Sequence, residues 1–301
     1  MIMSKRVLIT GASGLLGRAL FKEFESDASW DVLGLAFSRI KDPLRKVDLR
    51  NKDDVEQVII TFKPNVIIHS AAERRPDVVE KQEEATHQLN VAATQFICEA
   101  AVKVGAWVLF ISTDYVFDGK NPPHAVGDLP NPLNKYGKSK LEGEKVTLSV
   151  NPGNALLRVP ILYGELEYLE ESAVTVLFTK VRATDTPCVM SDYERRYPTS
   201  CQDIAIVVRQ LTECRLKDSS ICGIFHWSGN EEMTKYDMAV DMAEVFGLPT
   251  NHIQRDKSAS GGAIRPYNAK LDISRLEHMG ITQRTPFKTA IKCVLERFMT
   301  N

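Results

Sequence analysis

Thr10-Gly11-Ala12-Ser13-Gly14-Leu15-Leu16-Gly17 stands between a short β-branched run, Arg6 to Thr10 (RVLIT), and an apolar-periodic stretch from Leu15 to Phe24. Its spacing is G-x-x-G-x-x-G, a near variant of the G-x-G-x-x-G dinucleotide fingerprint. The physics of the two is shared. One glycine permits the sharp turn, a second lets backbone approach a pyrophosphate, and a third lets the helix lie close on the strand. The helix N-terminus then offers unpaired N–H groups and a partial positive charge to the phosphates. Tight strand–helix turns use glycine for structural reasons alone, so a triplet is weak by itself. Its place between strand and helix at the chain start gives Gly11, Gly14 and Gly17 their weight as a cofactor turn.

Working outward, strand and helix signals alternate. Asp31 to Phe37 and Asn65 to Ser70 are apolar runs short enough for buried strands, with Asp53 to Phe62 between them at helical spacing. Ala85 to Val104 reads as a long helix ended by Gly105. Ala106 to Ser112 follows as a strand, Lys135 to Val146 as an amphipathic helix, and Ala155 to Val159 as another strand. This alternation predicts right-handed βαβ units and a mainly parallel sheet covered on both faces. After Pro160 the pattern loosens. Helices are predicted around Glu171 to Val181 and Asp203 to Cys214, and a strand over Gly223 to Ser228. Thr234 to Phe246 reads as a helix with Thr234 as N-cap and Asp237 three residues on. Ser258 to Gly262 reads as a flexible loop, and Pro286 suits the first turn of a final helix to about Phe298. The expected fold is α/β: a Rossmann-type doubly wound parallel sheet with a smaller, interwoven C-terminal substrate-type domain. The nucleotide-binding part is expected over 1–160 with returning segments near 200–228, and the smaller, discontinuous part over 161–301.

Composition narrows the function. The 301 residues are 44% hydrophobic and 26% charged, which excludes a disordered or collagen-like chain. Lys+Arg number 38 against 39 Asp+Glu, so no whole-chain basic field exists for nucleic acid or a membrane surface. The longest apolar stretches, such as Asn65 to Ala72, fall far short of the ~20 residues that span a bilayer. Lys5 and Arg6 are followed by the glycine turn, leaving no apolar region of signal-peptide length. The six cysteines show neither C-x-x-C nor zinc-ligand spacing. Reduced thiols, a cytoplasmic location and no metal are therefore expected.

The second strand ends Leu35-Ala36-Phe37-Ser38-Arg39, where an NAD site would place an acid for the ribose 2′-hydroxyl. Ser38 and Arg39 suit a 2′-phosphate instead, so NADP(H) is expected over NAD(H). The competing reading makes Arg39 a solvated loop cation. Further on, Tyr136 and Lys140 lie four residues apart on a predicted helix, stacked on one face. A free phenol titrates near a pKa of about 10, and an ammonium one turn away is expected to lower it toward useful proton transfer. Lys140 can also donate to the nicotinamide ribose. Ser112-Thr113-Asp114-Tyr115 ends a strand and puts two hydroxyls at the ligand-bearing sheet edge, one of which, Thr113 in preference to Ser112, is placed to hydrogen-bond a substrate carbonyl. Y-x-x-x-K alone is common by chance. The order glycine turn, strand-end hydroxyl, then Y-x-x-x-K is not.

Together these residues resemble the extended short-chain dehydrogenase/reductase superfamily over nearly the whole chain. Ile111-Ser112-Thr113-Asp114-Tyr115-Val116-Phe117-Asp118-Gly119 is similar to the signature of dTDP-4-dehydrorhamnose reductases, in which the equivalents of Thr113, Tyr136 and Lys140 reduce a 4-keto sugar nucleotide with NADPH. Pro198-Thr199 resembles that family's Pro-Thr near the sugar site, although Tyr193-Glu194-Arg195-Arg196-Tyr197 departs from its pattern. A more specific resemblance is carried by Ala71 to Glu80 (AAERRPDVVE), Arg158 to Glu165 (RVPILYGE), Glu171 to Val176 (ESAVTV), Phe225 to Glu231 (FHWSGNE) and Gln283 to Phe287 (QRTPF). These resemble the regulatory β subunits of methionine adenosyltransferase, which keep the reductase fold, bind NADP(H) and act on a catalytic partner.

That resemblance implies NADP contacts from Ser13, Gly14, Leu15 and Leu16, from Phe37, Ser38 and Arg39, from Asp48, near the adenine, and Leu49, and from Ser70, Arg74, Tyr136 and Leu162. Arg74 and Arg75 follow the third strand, where a guanidinium can stand by the nicotinamide; a solvated pair is the alternative. Such β subunits continue past the last helix into a tail that contacts the partner, whereas this sequence ends Phe298-Met299-Thr300-Asn301, which leaves the contact surface open. The expected function is an NADP(H)-binding regulatory subunit that modulates S-adenosylmethionine synthesis by binding the methionine adenosyltransferase catalytic subunit. The Thr113–Tyr136–Lys140 set would then be vestigial; the alternative is an NADPH-dependent 4-keto sugar nucleotide reductase. Among the remaining residues, His69 is expected to be a buried, hydrogen-bonded histidine. Asn90 is expected either to tie its helix to the active-site strand or to be exposed. His226 and Trp227 are expected to be packing residues, and Glu142 and Glu144 a solvated helix face.

Overall fold

Strand β1 (Lys5–Thr10) leads through the glycine turn into helix α1 (Leu15–Glu25), as the sequence predicts. The computed structural model describes residues 5–259 and 261–299, so Ser260 of the Ser258–Gly262 loop lies outside the described residues. There follow β2 (Trp30–Ala36), β3 (Arg45–Lys46), α2 (Lys52–Phe62), β4 (Val66–His69), α3 (Pro76–Val79), α4 (Glu83–His87), α5 (Ala93–Val104), β5 (Trp107–Thr113), α6 (Lys135–Val150) and β6 (Ala155–Val159). The long helix expected from Ala85 is real but interrupted. A π-helical turn, Gln88–Ala92, joins α4 to α5, and Gly105 ends the run.

The sheet has seven strands in the order β10-β6-β5-β4-β1-β2-β3, where β10 is Gly223–His226, and every pairing is parallel. Side chains alternate between its faces, so both must be covered. Val7, Ile9, Ile68, Leu109 and Leu157 enter one core with Leu20 and Phe24 of α1. Leu8, Ile67 and Val108 enter the other with Val55 and Val58 of α2 and Ile97 of α5. Burial of each such side chain stabilises the fold by roughly 1.5–3 kcal/mol before entropy is charged.

The second half supplies β7 (Leu162–Tyr163), α7 (Leu177–Val181), β8 (Cys188–Ser191), β9 (Thr199–Ser200), α8 (Cys201–Lys217), α9 (Lys235–Val245), β11 (Ile253–Asp256), α10 (Ser274–Glu277) and α11 (Phe287–Leu295). Helix α8 packs on α1, while β7 with β9 and β8 with β11 make two small parallel pairs. The helix expected from Glu171 to Val181 is cut to α7. Ser172 is extended (φ −127°, ψ 142°), its hydroxyl donates to the Leu162 carbonyl at 2.7 Å, and the helix starts only afterwards. Pro286 is an extended N-cap of α11 rather than part of its first turn (φ −53°, ψ 140°). Thr234 caps α9 as expected: its hydroxyl accepts from the Asp237 N–H at 3.1 Å, and its own N–H donates to the Asp237 carboxylate at 2.8 Å.

Candidate functional site

The parallel strands end along one edge, and a cleft of about 550 Å³ opens there. Its floor is the glycine turn. Gly11 has φ +65°, and a Cβ on it would sit 2.9 Å from the Ala71 backbone; a Cβ on Gly17 would fall 2.0 Å from the Gly11 carbonyl oxygen. The turn therefore exists only with hydrogen at both positions. No side chain caps α1 at Gly14, and no acid stands in its first turn. The helix N-terminus meets the cleft with its donors and partial charge uncompensated, which fits a pyrophosphate.

The remaining walls come from strand ends. Beyond β2, Phe37, Ser38 and Arg39 form one side, with the Ser13 hydroxyl donating to the Ser38 carbonyl at 2.9 Å. Beyond β3 come Asp48 and Leu49. The Asp48 carboxylate accepts from Arg50 Nε at 2.9 Å and Nη2 at 2.7 Å, and the Arg50 guanidinium lies 5.1 Å from the Phe37 ring centroid. Beyond β4, the Ser70 hydroxyl donates to the Thr10 carbonyl at 2.6 Å, and Arg74 Nη2 donates to the Glu171 carbonyl. Thr113 closes β5, Tyr136 and Lys140 project from α6, and Leu162 opens β7. Gly11, Ser13, Gly14, Leu15, Leu16, Gly17, Phe37, Ser38, Arg39, Asp48, Leu49, Ser70, Arg74, Thr113, Tyr136, Lys140 and Leu162 all line this one cleft. Arg75 does not: it ion-pairs with Glu73 at 2.7 Å on the exposed surface. No group of residues able to hold a metal occurs among the described residues.

Electrostatics correct the expectation for the Tyr–Lys pair. Burial pushes the Tyr136 phenol above its ordinary value, with the Thr113 hydrogen bond opposing, so it does not come down toward neutrality. The same burial lowers Lys140 to about 7, with the Glu144 carboxylate opposing. An amine held at about 7 is only partly charged at neutral pH, so the ammonium effect expected from sequence is weakened. Lys140 Nζ instead lies 3.9 Å from the Phe110 ring centroid. Next to Thr113, burial raises Asp114 to about 6 against the pull of Arg196.

Glu144 corrects a second expectation. It is buried, not solvated: Arg158 donates to its two oxygens at 2.9 and 2.7 Å, and the Ser112 hydroxyl donates at 2.5 Å. His69 is buried between the Thr10 and Thr94 hydroxyls, 2.7 and 3.0 Å away, and burial lowers it to about 3. Asn90, also buried, sits in the π-turn. It accepts from the Glu73 N–H at 2.9 Å and donates to the Ser139 hydroxyl at 3.0 Å, so it ties the post-β4 loop to α6 and not to β5. His226 and Trp227 are fully buried.

Sequence reading missed the acids that meet this site. Arg39 Nη1 donates to Glu171 at 2.6 Å and to Glu167 at 2.9 Å, and Arg18 donates to Glu171 at 2.6 Å. Arg18 follows Gly17 directly, and a cation beside a phosphate turn was the available signal. Nothing local marks Glu167 or Glu171, whose cationic side-chain partners Arg18, Arg39 and Lys41 lie more than 120 residues away.

The family described as the RmlD substrate binding domain matches residues 5–300. Methionine adenosyltransferase 2 subunit beta of Mus musculus is 52% identical over 299 residues, covering 99% of this chain and 89% of that protein. A dTDP-4-dehydrorhamnose reductase of Aggregatibacter actinomycetemcomitans is 32% identical over 296 residues, 95% of this chain and 97% of that one. The crystal structure of a dTDP-4-dehydrorhamnose reductase from Clostridium acetobutylicum superposes with a TM-score of 0.83 at 27% identity, covering 98% of this chain and 99% of that one. With this cleft on this sheet, and that identity along nearly its whole length, the chain belongs to the RmlD substrate binding domain family and, within it, to the methionine adenosyltransferase subunit beta group.

Proposed function

We propose that this protein is an NADP(H)-binding regulatory subunit that modulates S-adenosylmethionine synthesis by binding a methionine adenosyltransferase catalytic subunit in the cytoplasm. The observation that carries the reading is the near full-length identity to subunit beta proteins. The same reading gives the nucleotide-binding part to residues 1–160 with returning segments near 200–228, and leaves 161–301, which adds Leu162 to the cleft, as the smaller, discontinuous part that faces the partner.

The bound nicotinamide would supply a hydride carrier, but a subunit that works through an interface needs only the binding. The α1 N-terminus receives the pyrophosphate. Ser38 and Arg39 hold the 2′-phosphate, Asp48 sits near the adenine with Leu49 beside it, and Ser70, Arg74, Tyr136, Lys140 and Leu162 line the nicotinamide end. A ligand that binds only the folded chain stabilises it by about 2.7 kcal/mol at a hundredfold excess over Kd. Co-purification with a methionine adenosyltransferase catalytic subunit, together with altered kinetics of that subunit, tests the proposal; no association at micromolar concentration would end it. Titration with both cofactors tests the NADP(H) assignment, and equal or tighter NAD(H) binding would refute it.

One observation favours a second reading, reduction of a 4-keto sugar nucleotide: Thr113, Tyr136 and Lys140 share the cleft. There Tyr136 would donate a proton to the carbonyl oxygen and Thr113 would orient it. The burial that raises the Tyr136 phenol weighs against efficient proton transfer. NADPH oxidation on adding dTDP-4-keto-6-deoxy sugar, abolished by Tyr136→Phe, would support this reading over the first.

A further inference from the structure

Glu167 and Glu171 both meet Arg39, but they are held differently. Glu171 is almost wholly buried; besides Arg39 it binds Arg18 at 2.6 Å and accepts the Glu167 N–H at 3.0 Å. Arg74 fixes its backbone carbonyl. Glu167 is the looser of the two. Its side chain is 26% exposed, and beyond Arg39 at 2.9 Å it holds Lys41 at 2.8 Å, itself 77% exposed. Arg39 is also one of two non-glycine residues with positive φ among the described residues, at +54°. An arginine keeps that unfavourable backbone only where its surroundings determine it.

We infer that segment 164–171 is a carboxylate latch on the 2′-phosphate subsite, and that Glu167 is the residue a 2′-phosphate displaces from Arg39. The inference rests on the cofactor reading above. A guanidinium accepts a carboxylate or a phosphate through the same donors. In the latched arrangement Glu167 satisfies Arg39, and Glu171, buried and shared with Arg18, is the fixed counter-ion. A 2′-phosphate brings more charge and more acceptors than one carboxylate, so it exchanges with Glu167. A plain 2′-hydroxyl cannot. Only the phosphorylated cofactor therefore opens the latch, and the opening moves a segment whose outer face carries the half-exposed Tyr168. The presence of one phosphate at the cleft becomes a change in surface shape.

The test is Glu167→Gln, which keeps the side chain's size and removes its charge. NADPH and NADH dissociation constants are measured by calorimetry for wild type, E167Q, R39A and the double variant, with hydrogen exchange of 164–171 in each cofactor complex. The latch predicts that E167Q tightens NADPH about two- to fivefold, the range of a partly exposed ion pair. NADH should not tighten, and R39A should erase the effect. Exchange in 164–171 should rise with NADPH over NADH. Equal changes for both cofactors, or weaker NADPH binding by E167Q, would overturn the latch. If wild type bound neither cofactor, the dinucleotide reading itself would fall; if it preferred NADPH but E167Q left the preference unchanged, only the latch would.

Discussion

Glu144 and Arg158 form a forked ion pair inside the protein, with side chains 4% and 2% exposed and contacts of 2.9 and 2.7 Å. The pair joins α6 to β6, one helical turn beyond Lys140. Removing one partner leaves an uncompensated buried charge, which typically costs about 3–5 kcal/mol. Glu144→Gln should therefore lose stability on that scale in urea unfolding. Glu144→Gln with Arg158→Met should recover much of it, because no charge is then stranded. A single-variant loss below about 1 kcal/mol would show that the pair contributes little.

Lys140 sets a pH dependence for cofactor binding. Burial holds its free-site value at about 7, so it is about half charged at pH 7 and about a tenth charged at pH 8. The nicotinamide ribose hydroxyls would give the ammonium acceptors and raise that value. Binding should then take up a proton: about half of one at pH 7, close to one at pH 8. Affinity should fall as pH rises above 7, approaching tenfold per unit. Calorimetry in two buffers of different ionisation enthalpy reads the uptake directly. Lys140→Met should remove it, and identical heats in both buffers for wild type would contradict the argument.

Glu171 gives the opposite sign of test, on stability. Burial alone would raise its carboxyl, but Arg18, the Glu167 N–H and Arg39 hold it at about 2, below the ordinary 4.5. A folded-state value depressed in this way stabilises fully above the unfolded value and is lost as pH falls through the folded one. The contribution is on the order of 2–3 kcal/mol near neutrality. Glu171→Gln should show that deficit at pH 7, and the gap to wild type should close between about pH 4.5 and 2. A gap that stays constant with pH would assign the loss to packing.

What the sequence made legible follows how local each cause is. The glycine turn and the Thr234–Asp237 capping box are fixed by residues within a turn of one another, and both formed as read. The parallel sheet was readable because its central strands are continuous apolar runs. Glu144 was misread because its position on α6 resembles a solvated face; only Arg158, arriving on another strand, makes it interior. The same holds for the helix expected from Glu171. Its first residue is claimed by Arg18 and Arg39 from near the N-terminus, and Ser172 is pinned to Leu162. The Lys140 charge was misjudged because helical spacing reports proximity but not the water lost on burial. Strands β8 and β11 were missed because four-residue segments such as Ile-Gln-Arg-Asp have no apolar alternation to detect.

Gly17→Ala tests the turn on which the cleft depends. The added Cβ would lie 2.0 Å from the Gly11 carbonyl oxygen and 2.8 Å from the Ala12 Cα, both backbone atoms that no rotamer change can move aside. Alanine is otherwise the better helix former, by about 1 kcal/mol, so helix propensity alone predicts a gain. The clash should reverse that sign, because α1 must lift from β1 or the turn must deform; overpacking of this kind costs about 1–3 kcal/mol or more. Either response moves the α1 N-terminus away from the cleft, so dinucleotide binding should fall at least tenfold, beyond what the stability loss explains. Thermal unfolding with and without NADPH separates the two effects. A variant as stable as wild type, with an undiminished NADPH-induced rise in Tm, would mean that the helix does not sit against the turn as described.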